Sequence, residues 1–574
     1  MPLLDQLKIS QRHFLPNTFV INTWKDLNPF YENLLKRNIN SVEDLKKWFI
    51  DRSELEAAVE EDAAWRYIKM TCDTNSQEKL DAYTYYVNEI EPQLSPFTDQ
   101  LNKKAVGSDF IYLLSEEKAY DISVKLMKKD IQIFRDANVS LKAEEQVLAQ
   151  KFAAISGAMS ISYQDKELTM QQAGALLEEQ DRKLREKIFQ KMAKRRMAEK
   201  DRLHELFDQL IANRHQIAQN ADFNNYRDYM FASLGRMDYT PQDCFNFHES
   251  VKEETVPLLK NLAKERKSNL GVDTLRPWDL AVDPTGQPPL KPFKTSAELI
   301  EKTITCFNHL DSFFGDCLKD MHSRGFMDLD SRKGKAPGGY NYPLAESGAP
   351  FIFMNSSATL NDLVTMVHEG GHAIHSFLMR DLELNMFRQI PSEVAELASM
   401  SMELLSMDHW GVFFKNEKDL NRAKKDHLEQ IIATLPWVAT IDKFQHWIYE
   451  NPEHQIADRD RFWENLLDDY GDQITDWSGL EDYRKVLWQK QLHLFEVPFY
   501  YIEYGFAQLG ALAMWKNYKE NPTEAISKYI EALQLGYSKP IPEIYETAGI
   551  EFNFTKEYIR ELMEFLNKEL NKLS

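Results

Sequence analysis

The stretch Thr359-Leu-Asn-Asp-Leu-Val-Thr-Met-Val-His-Glu-Gly-Gly-His-Ala-Ile-His-Ser-Phe-Leu-Met-Arg380 contains His368-Glu369-x-x-His372, and no other segment narrows so far what this chain can fold into. On a helix, positions four apart lie one turn above each other. Both imidazoles can then reach one metal ion, with Glu369 standing beside the open coordination position. The pattern therefore predicts a helix that presents two zinc ligands and a base. Thr359 with Asp362 reads as a capping box, and Leu360, Leu363, Val364, Val367, Ile374 and Leu378 recur at helical spacing, which leaves the histidines on another stripe. Gly370 and Gly371 each cost about 1 kcal/mol against Ala inside a helix, so a substrate or a neighbouring backbone is expected to approach closely there. Accidental register on a surface helix, in a chain with 14 histidines, is the competing explanation.

A catalytic zinc needs a third protein ligand. The H-E-x-x-H-x-x-G-x-x-H arrangement is excluded, because His375 occupies its Gly position and Leu378 its last His position. A following helix can supply a glutamate instead. In Pro391-Ser-Glu-Val-Ala-Glu-Leu-Ala-Ser-Met-Ser-Met-Glu-Leu-Leu405, Ser392 is a candidate cap, and Glu393, Glu396 and Glu403 fall on one side of an otherwise apolar helix. Carboxylates on such a face need a partner such as a metal.

His368-Glu-Gly-Gly-His372-Ala-Ile-His375, followed by Glu396-Leu-Ala-Ser-Met-Ser-Met-Glu403, resembles the active-site signature of the thimet oligopeptidase and oligoendopeptidase F family. The resemblance implies that Glu396 is the third ligand of one Zn²⁺ per chain, that Glu393 and Glu403 orient imidazoles, and that Glu369 is the general base. Farther on comes His493-Leu-Phe-Glu-Val-Pro-Phe-Tyr-Tyr-Ile-Glu-Tyr504, where Pro498 can open a helix with Tyr501, Tyr504 and Gln508 on one face. Tyrosines so placed are ordinarily core residues with the hydroxyl at the edge. The family, however, brings a His and a Tyr-x-x-Tyr pair to its active site. This implies His493 and Tyr504 as donors to a developing oxyanion and Tyr501 as a holder of the substrate backbone, with Tyr500 as the alternative for either phenol. The implied substrates are short unstructured peptides cut at internal bonds. A carboxypeptidase of related fold, or a helical scaffold that retains zinc without turnover, is the rival reading.

The remaining sequence predicts a mainly α protein with an N-terminal helical region, 1–175, and a catalytic region, 176–574. By the resemblance, these are two helical subdomains that enclose a deep substrate channel, with a small β element near the zinc helix. Ser41-Val-Glu-Asp44 opens one helix, and Gln77 to Leu101 is helical up to Pro92. Alternation on either side of Gln164-Asp-Lys166 predicts a hairpin that Thr169-x-x-Gln172 turns into a helix. Residues 177–218 carry a charged helix or a pair of helices, with Lys194-Arg195-Arg196 read as a solvated face. Pro and Gly make a long loop of 267–294, and a flexible Gly-rich turn at 328–343 precedes the apolar strand Ala349–Asn355; the resemblance implies that this strand lies beside the cleft with a free edge that could pair with extended peptide, simple core burial being the alternative. Helices are also read at Trp437 to Glu450 and Glu481 to Gln491.

Composition excludes other classes. A net charge of −21 repels phosphate backbones, so no nucleic-acid partner is expected. No run of 18 apolar residues spans a membrane, Met1–Ser10 does not read as a secretory signal, and four scattered cysteines form neither a disulfide framework nor a cysteine zinc site. The expected compartment is the cytoplasm, and the sequence leaves the oligomeric state open.

Overall fold

The computed structural model describes residues 12–332, 334–336 and 338–573, with the side chain of Lys118 excepted, so the reading of Met1–Ser10 lies outside the described residues. The architecture is mainly α. Local start signals place many of its helices. Ser41 accepts a hydrogen bond from the Asp44 N–H at the head of Val42–Cys72, Thr169 and Gln172 form a reciprocal box at Met170–Ala175, and Thr359 and Asp362 do the same for Leu360–Met379. One apolar core runs from Ile133 to Leu570, and a second joins the N-terminal helices from Leu15 to Met127 with Leu384 and Phe387. No described helix is long and apolar enough to cross a membrane.

The β content is small. β1 (Ser160–Tyr163) and β2 (Lys166–Thr169) form the expected hairpin, with Gln164 and Asp165 both left-handed (φ 49° and 58°), as a two-residue turn of primed type requires. The second sheet holds β3 (Met327–Asp330), β4 (Tyr340–Tyr342) and β5 (Phe351–Ser356) in the order β3-β5-β4. β5 is therefore central, parallel to β3 and antiparallel to β4, and has no free edge, contrary to expectation. Its continuous apolar run, Phe351–Met354 all buried, is what a strand covered on both faces shows. Between β3 and β4, Lys335 ties the segment down by donating to Asp328, to the Asp330 carbonyl and to the Met354 carbonyl.

Other boundaries move for physical reasons. The helical path continues through Pro92, which follows a π-turn at Tyr86–Ile90 and sits at the start of Glu91–Val106. Residues 177–218 are two helices, Arg182–Met197 and Lys200–Asn220. The Pro-rich loop packs as a crossing, with Asp279 buried between Arg182 and Arg185. Trp437 lies within a single long helix, Glu417–Glu450, and the stretch after Glu481 is a short helix followed by a 3₁₀ turn.

Candidate active site

The helix Leu360–Met379 buries Leu363, Met366, Val367, Ile374 and Leu378, which leaves His368 and His372 on the side that meets the helix Ser392–Met407. The two glycines explain how closely these helices meet. A Cβ on Gly371 would lie 2.6 Å from the Ser399 Cα and 2.8 Å from the Ala398 carbonyl oxygen, so the neighbouring backbone is the close approach that the sequence requires. A Cβ on Gly370 would strike the Phe307 ring at 2.7 Å. Gly371→Ala is therefore expected to force the helices apart, to destabilise the fold by about 1–3 kcal/mol and to weaken metal binding. Urea unfolding and zinc titration of the variant check this, and parental values for both would refute it.

Across this contact His368 Nε2 lies 3.4 Å and His372 Nε2 3.8 Å from Glu396 Oε2, and the three ligand atoms lie within 4.8 Å of one another. Two imidazoles and a carboxylate are a donor set suited to zinc. The His368 and His372 side chains keep 19% and 20% of their exposure while Glu396 keeps 4%, so the group opens to solvent on one side, as a reactive rather than a closed structural site does. Burial opposes charge here, but hydrogen bonds and attraction to the histidines hold the Glu396 carboxyl down at about 2. The bonds from Glu396 and Glu403 likewise outweigh burial and keep His368 well above its ordinary value. Burial pushes His372 down to about 4, leaving a neutral imidazole. Such surroundings favour a cation at the centre of the three.

The residues behind the ligands fix their orientation. Glu403 Oε1 pairs with His368 Nδ1 at 2.6 Å, and His427 Nε2 stands 3.4 Å from the other oxygen of Glu403. The Ser399 hydroxyl donates to Glu396 Oε2 at 3.1 Å, and the Tyr500 hydroxyl donates to Glu396 Oε1 at 2.7 Å. Glu393 does not orient an imidazole. It accepts from the Tyr239 hydroxyl at 2.5 Å and faces buried Arg236 at 3.9 Å, so its contacts lie within the core and not with the histidines. Ser392 does not cap the glutamate helix either, since Pro391 holds the cap position with no side-chain bond.

Glu369 is 6% exposed, and its Oε2 has no hydrogen-bond partner among the described residues. Burial, reinforced by the charges of Glu396 and Glu403, pushes its carboxyl up to about 7 despite the opposing pull of His368. A carboxyl so poised, one residue from a ligand, suits proton transfer near neutrality.

His493 and the three tyrosines come together as one aromatic group. His493 lies 4.9 Å from Tyr501 and 5.8 Å from Tyr504, and Tyr504 lies 5.3 Å from Tyr500 between ring centroids. Pro498 does not open the tyrosine helix, which begins at Tyr501. The backbone turns first at Phe499, whose φ of 66° is left-handed and strained for a bulky residue. Two bonds hold that turn: the Phe499 N–H donates to Gln445 Oε1 at 2.6 Å, and Arg236 donates to the Phe499 carbonyl. The turn aims Tyr500 at Glu396. Tyr501 sits beside Trp437 and Gln491, whereas the Tyr504 hydroxyl has no hydrogen-bond partner among the described residues. Burial pushes His493 down to about 4, so its ring is neutral at physiological pH. Sequence reading missed the Tyr500–Glu396 bond and the Arg236–Tyr239–Glu393 group, and neither has a local signature.

Residues 175–564 match peptidase family M3, and residues 14–134 match the peptidase M3 N-terminal domain. An oligoendopeptidase F homologue of Borreliella burgdorferi is 24% identical over 539 residues, 89% of this chain and 87% of that protein. The structure of PZ peptidase A with inhibitor 2 superposes with a TM-score of 0.91 at 26% identity, covering 98% of this chain and 99% of that one. A structure of a putative oligoendopeptidase F gives 0.91 at 26% identity, over 97% and 98%.

Proposed function

We propose, on the premise that this chain belongs to peptidase family M3, that it is a zinc-dependent oligoendopeptidase that cuts internal bonds of short unstructured peptides. The observation that carries the reading is the unpartnered, buried carboxylate oxygen of Glu369 beside the His368, His372 and Glu396 group. A structural zinc site does not require such a base. One zinc ion held by the three ligands would supply a Lewis acid that polarises the scissile carbonyl and brings a water toward ionisation at neutral pH. Glu369 accepts the proton from the attacking water and returns one to the leaving amine. Glu403 and Ser399 hold His368 and Glu396 in orientation. Tyr504, whose hydroxyl is free to donate, and His493 meet the negative charge that develops on the carbonyl oxygen, while Tyr501 steadies the substrate backbone. Tyr500, already bonded to Glu396, positions that ligand.

In this reading the helical sequence before the zinc helix and that after the third ligand form the two walls of a channel, and extended peptide threads to the metal while a folded domain stops at the rim. Because β5 is enclosed, the edges are β3 and β4, and the one beside the candidate active site is β4, whose Asn341 side chain donates to the Glu369 carbonyl at 3.2 Å. Four cysteines without disulfides suit a reducing cytoplasm.

The test is digestion of a short peptide blocked at both ends. Internal cleavage that a chelator abolishes and Zn²⁺ restores is expected. An intact blocked peptide alongside trimming of a free one would identify a carboxypeptidase, and zinc content without cleavage a scaffold. Tyr504→Phe should lower kcat by about 10²–10³-fold with little change in KM. Steady-state kinetics on the same peptide check this, and parental kcat would return Tyr504 to a packing role.

A further inference from the structure

We propose that Cys244, Asp442 and His446, with His248 bonded to the same carboxylate, form a second and fully buried zinc site that joins two helices behind the candidate active site. Cys244 and His248 lie one turn apart on Pro241–Glu254, and Asp442 and His446 lie one turn apart on Glu417–Glu450, which packs against it. Each helix thus offers an i,i+4 pair to the other. Cys244, His248 and Asp442 are 0% exposed and His446 is 1% exposed. The ligand atoms of Cys244, Asp442 and His446 lie within 4.8 Å of one another, the same bound that the His368, His372 and Glu396 group meets.

The polar atoms here are not accounted for by hydrogen bonding. His248 Nε2 reaches Asp442 Oδ2 at 2.8 Å, which satisfies one carboxylate oxygen. Asp442 Oδ1, both nitrogens of His446 and Nδ1 of His248 have no partner among the described residues. His446 Nε2 is 3.2 Å from Asp442 Oδ2 without the alignment of a hydrogen bond. Two ligands held tetrahedrally at ~2.0–2.1 Å from one zinc ion lie about 3.3 Å apart, so this approach is that of co-ligands rather than of donor and acceptor.

The surroundings exclude cheaper solutions. Phe245, Phe499 and Phe231 lie 4.8, 5.4 and 6.0 Å from the His446 ring, so the carboxylate sits in a dry aromatic box. Arg236, the nearby buried cation, turns its Nη2 to Glu503 and the Phe499 carbonyl and makes no bond to Asp442. An imidazolium at His248 would neutralise Asp442 yet leave His446 and Cys244 unused, and a water would bring no charge. A thiolate, an imidazole and a carboxylate together favour a borderline-soft ion, hence zinc over calcium or magnesium. The Cys244 thiol proton is released as the sulfur–metal bond forms. Such a site would brace Phe499, which meets the His446 ring edge to face, and through it the segment that carries Tyr500.

Metal analysis of the purified chain tests this, with two equivalents of zinc expected per parental chain. The His368→Ala, His372→Ala double variant, which lacks the catalytic ligands, should retain one. The same double variant produced with Co²⁺ in the medium should show a thiolate-to-cobalt charge-transfer band in the near ultraviolet, and adding Cys244→Ser should remove it. A single equivalent in the parental chain, a folded double variant without metal, or a band that survives Cys244→Ser would each overturn the site and leave a buried His248–Asp442 ion pair.

Discussion

Glu369→Gln is expected to lower kcat by about 10²–10⁴-fold while the zinc content and the unfolding transition stay at parental values. The amide replaces the carboxylate almost isosterically in its buried place. What it loses is the ability to accept a proton, and Glu369 is not among the three residues grouped to hold the metal. The measurement is kcat on a blocked peptide beside metal analysis of the same preparation. Turnover within a few fold of the parent would remove Glu369 from the mechanism.

The second large effect is on metal affinity. Glu396→Gln removes the carboxylate that lies 3.4 Å and 3.8 Å from the two imidazoles, and zinc affinity should fall by well over 100-fold. Glu403→Gln removes the partner of His368 Nδ1 and should cost the roughly 10–100-fold typical of groups that orient a ligand, about 1.4–2.7 kcal/mol. Glu393→Gln should leave affinity nearly unchanged and act on stability, because its carboxylate serves Tyr239 and Arg236. Competition with a chromogenic chelator ranks the three, and a larger loss for Glu403→Gln than for Glu396→Gln would reverse the assignment.

What could be read without coordinates depended on how local the responsible interaction is. The Thr359–Asp362 box, the i,i+4 histidines and the paired glycines all act within one or two turns, and the structure bears out the helix they predict. The turn of β1 and β2 was legible for the same reason. Strand order was not, because an apolar run such as Phe351–Met354 says that a strand is covered but not by what. Helical spacing also placed Glu393 with Glu396, yet Tyr239 and Arg236 come from far away in the chain and claim it. Pro498 carries a helix-start signal that the left-handed Phe499 overrides, and only Gln445 and Arg236 explain why that residue tolerates its conformation. The dispersal of the cysteines argued against a cysteine zinc site, whereas the proposed Cys244 group would draw its ligands from two helices and need no short spacing between them.

The metal group and the tyrosines also differ in when they become available. His368 and Glu403 are 35 positions apart, on consecutive helices, whereas Tyr500 follows Glu396 by 104. Closing the longer loop costs about 1 kcal/mol more in chain entropy, and on a ribosome its second half is made later. A nascent chain that has paired the helices Leu360–Met379 and Ser392–Met407 therefore still lacks the phenols that complete the pocket. On the proposed mechanism, the pocket is complete only once synthesis has passed Tyr504.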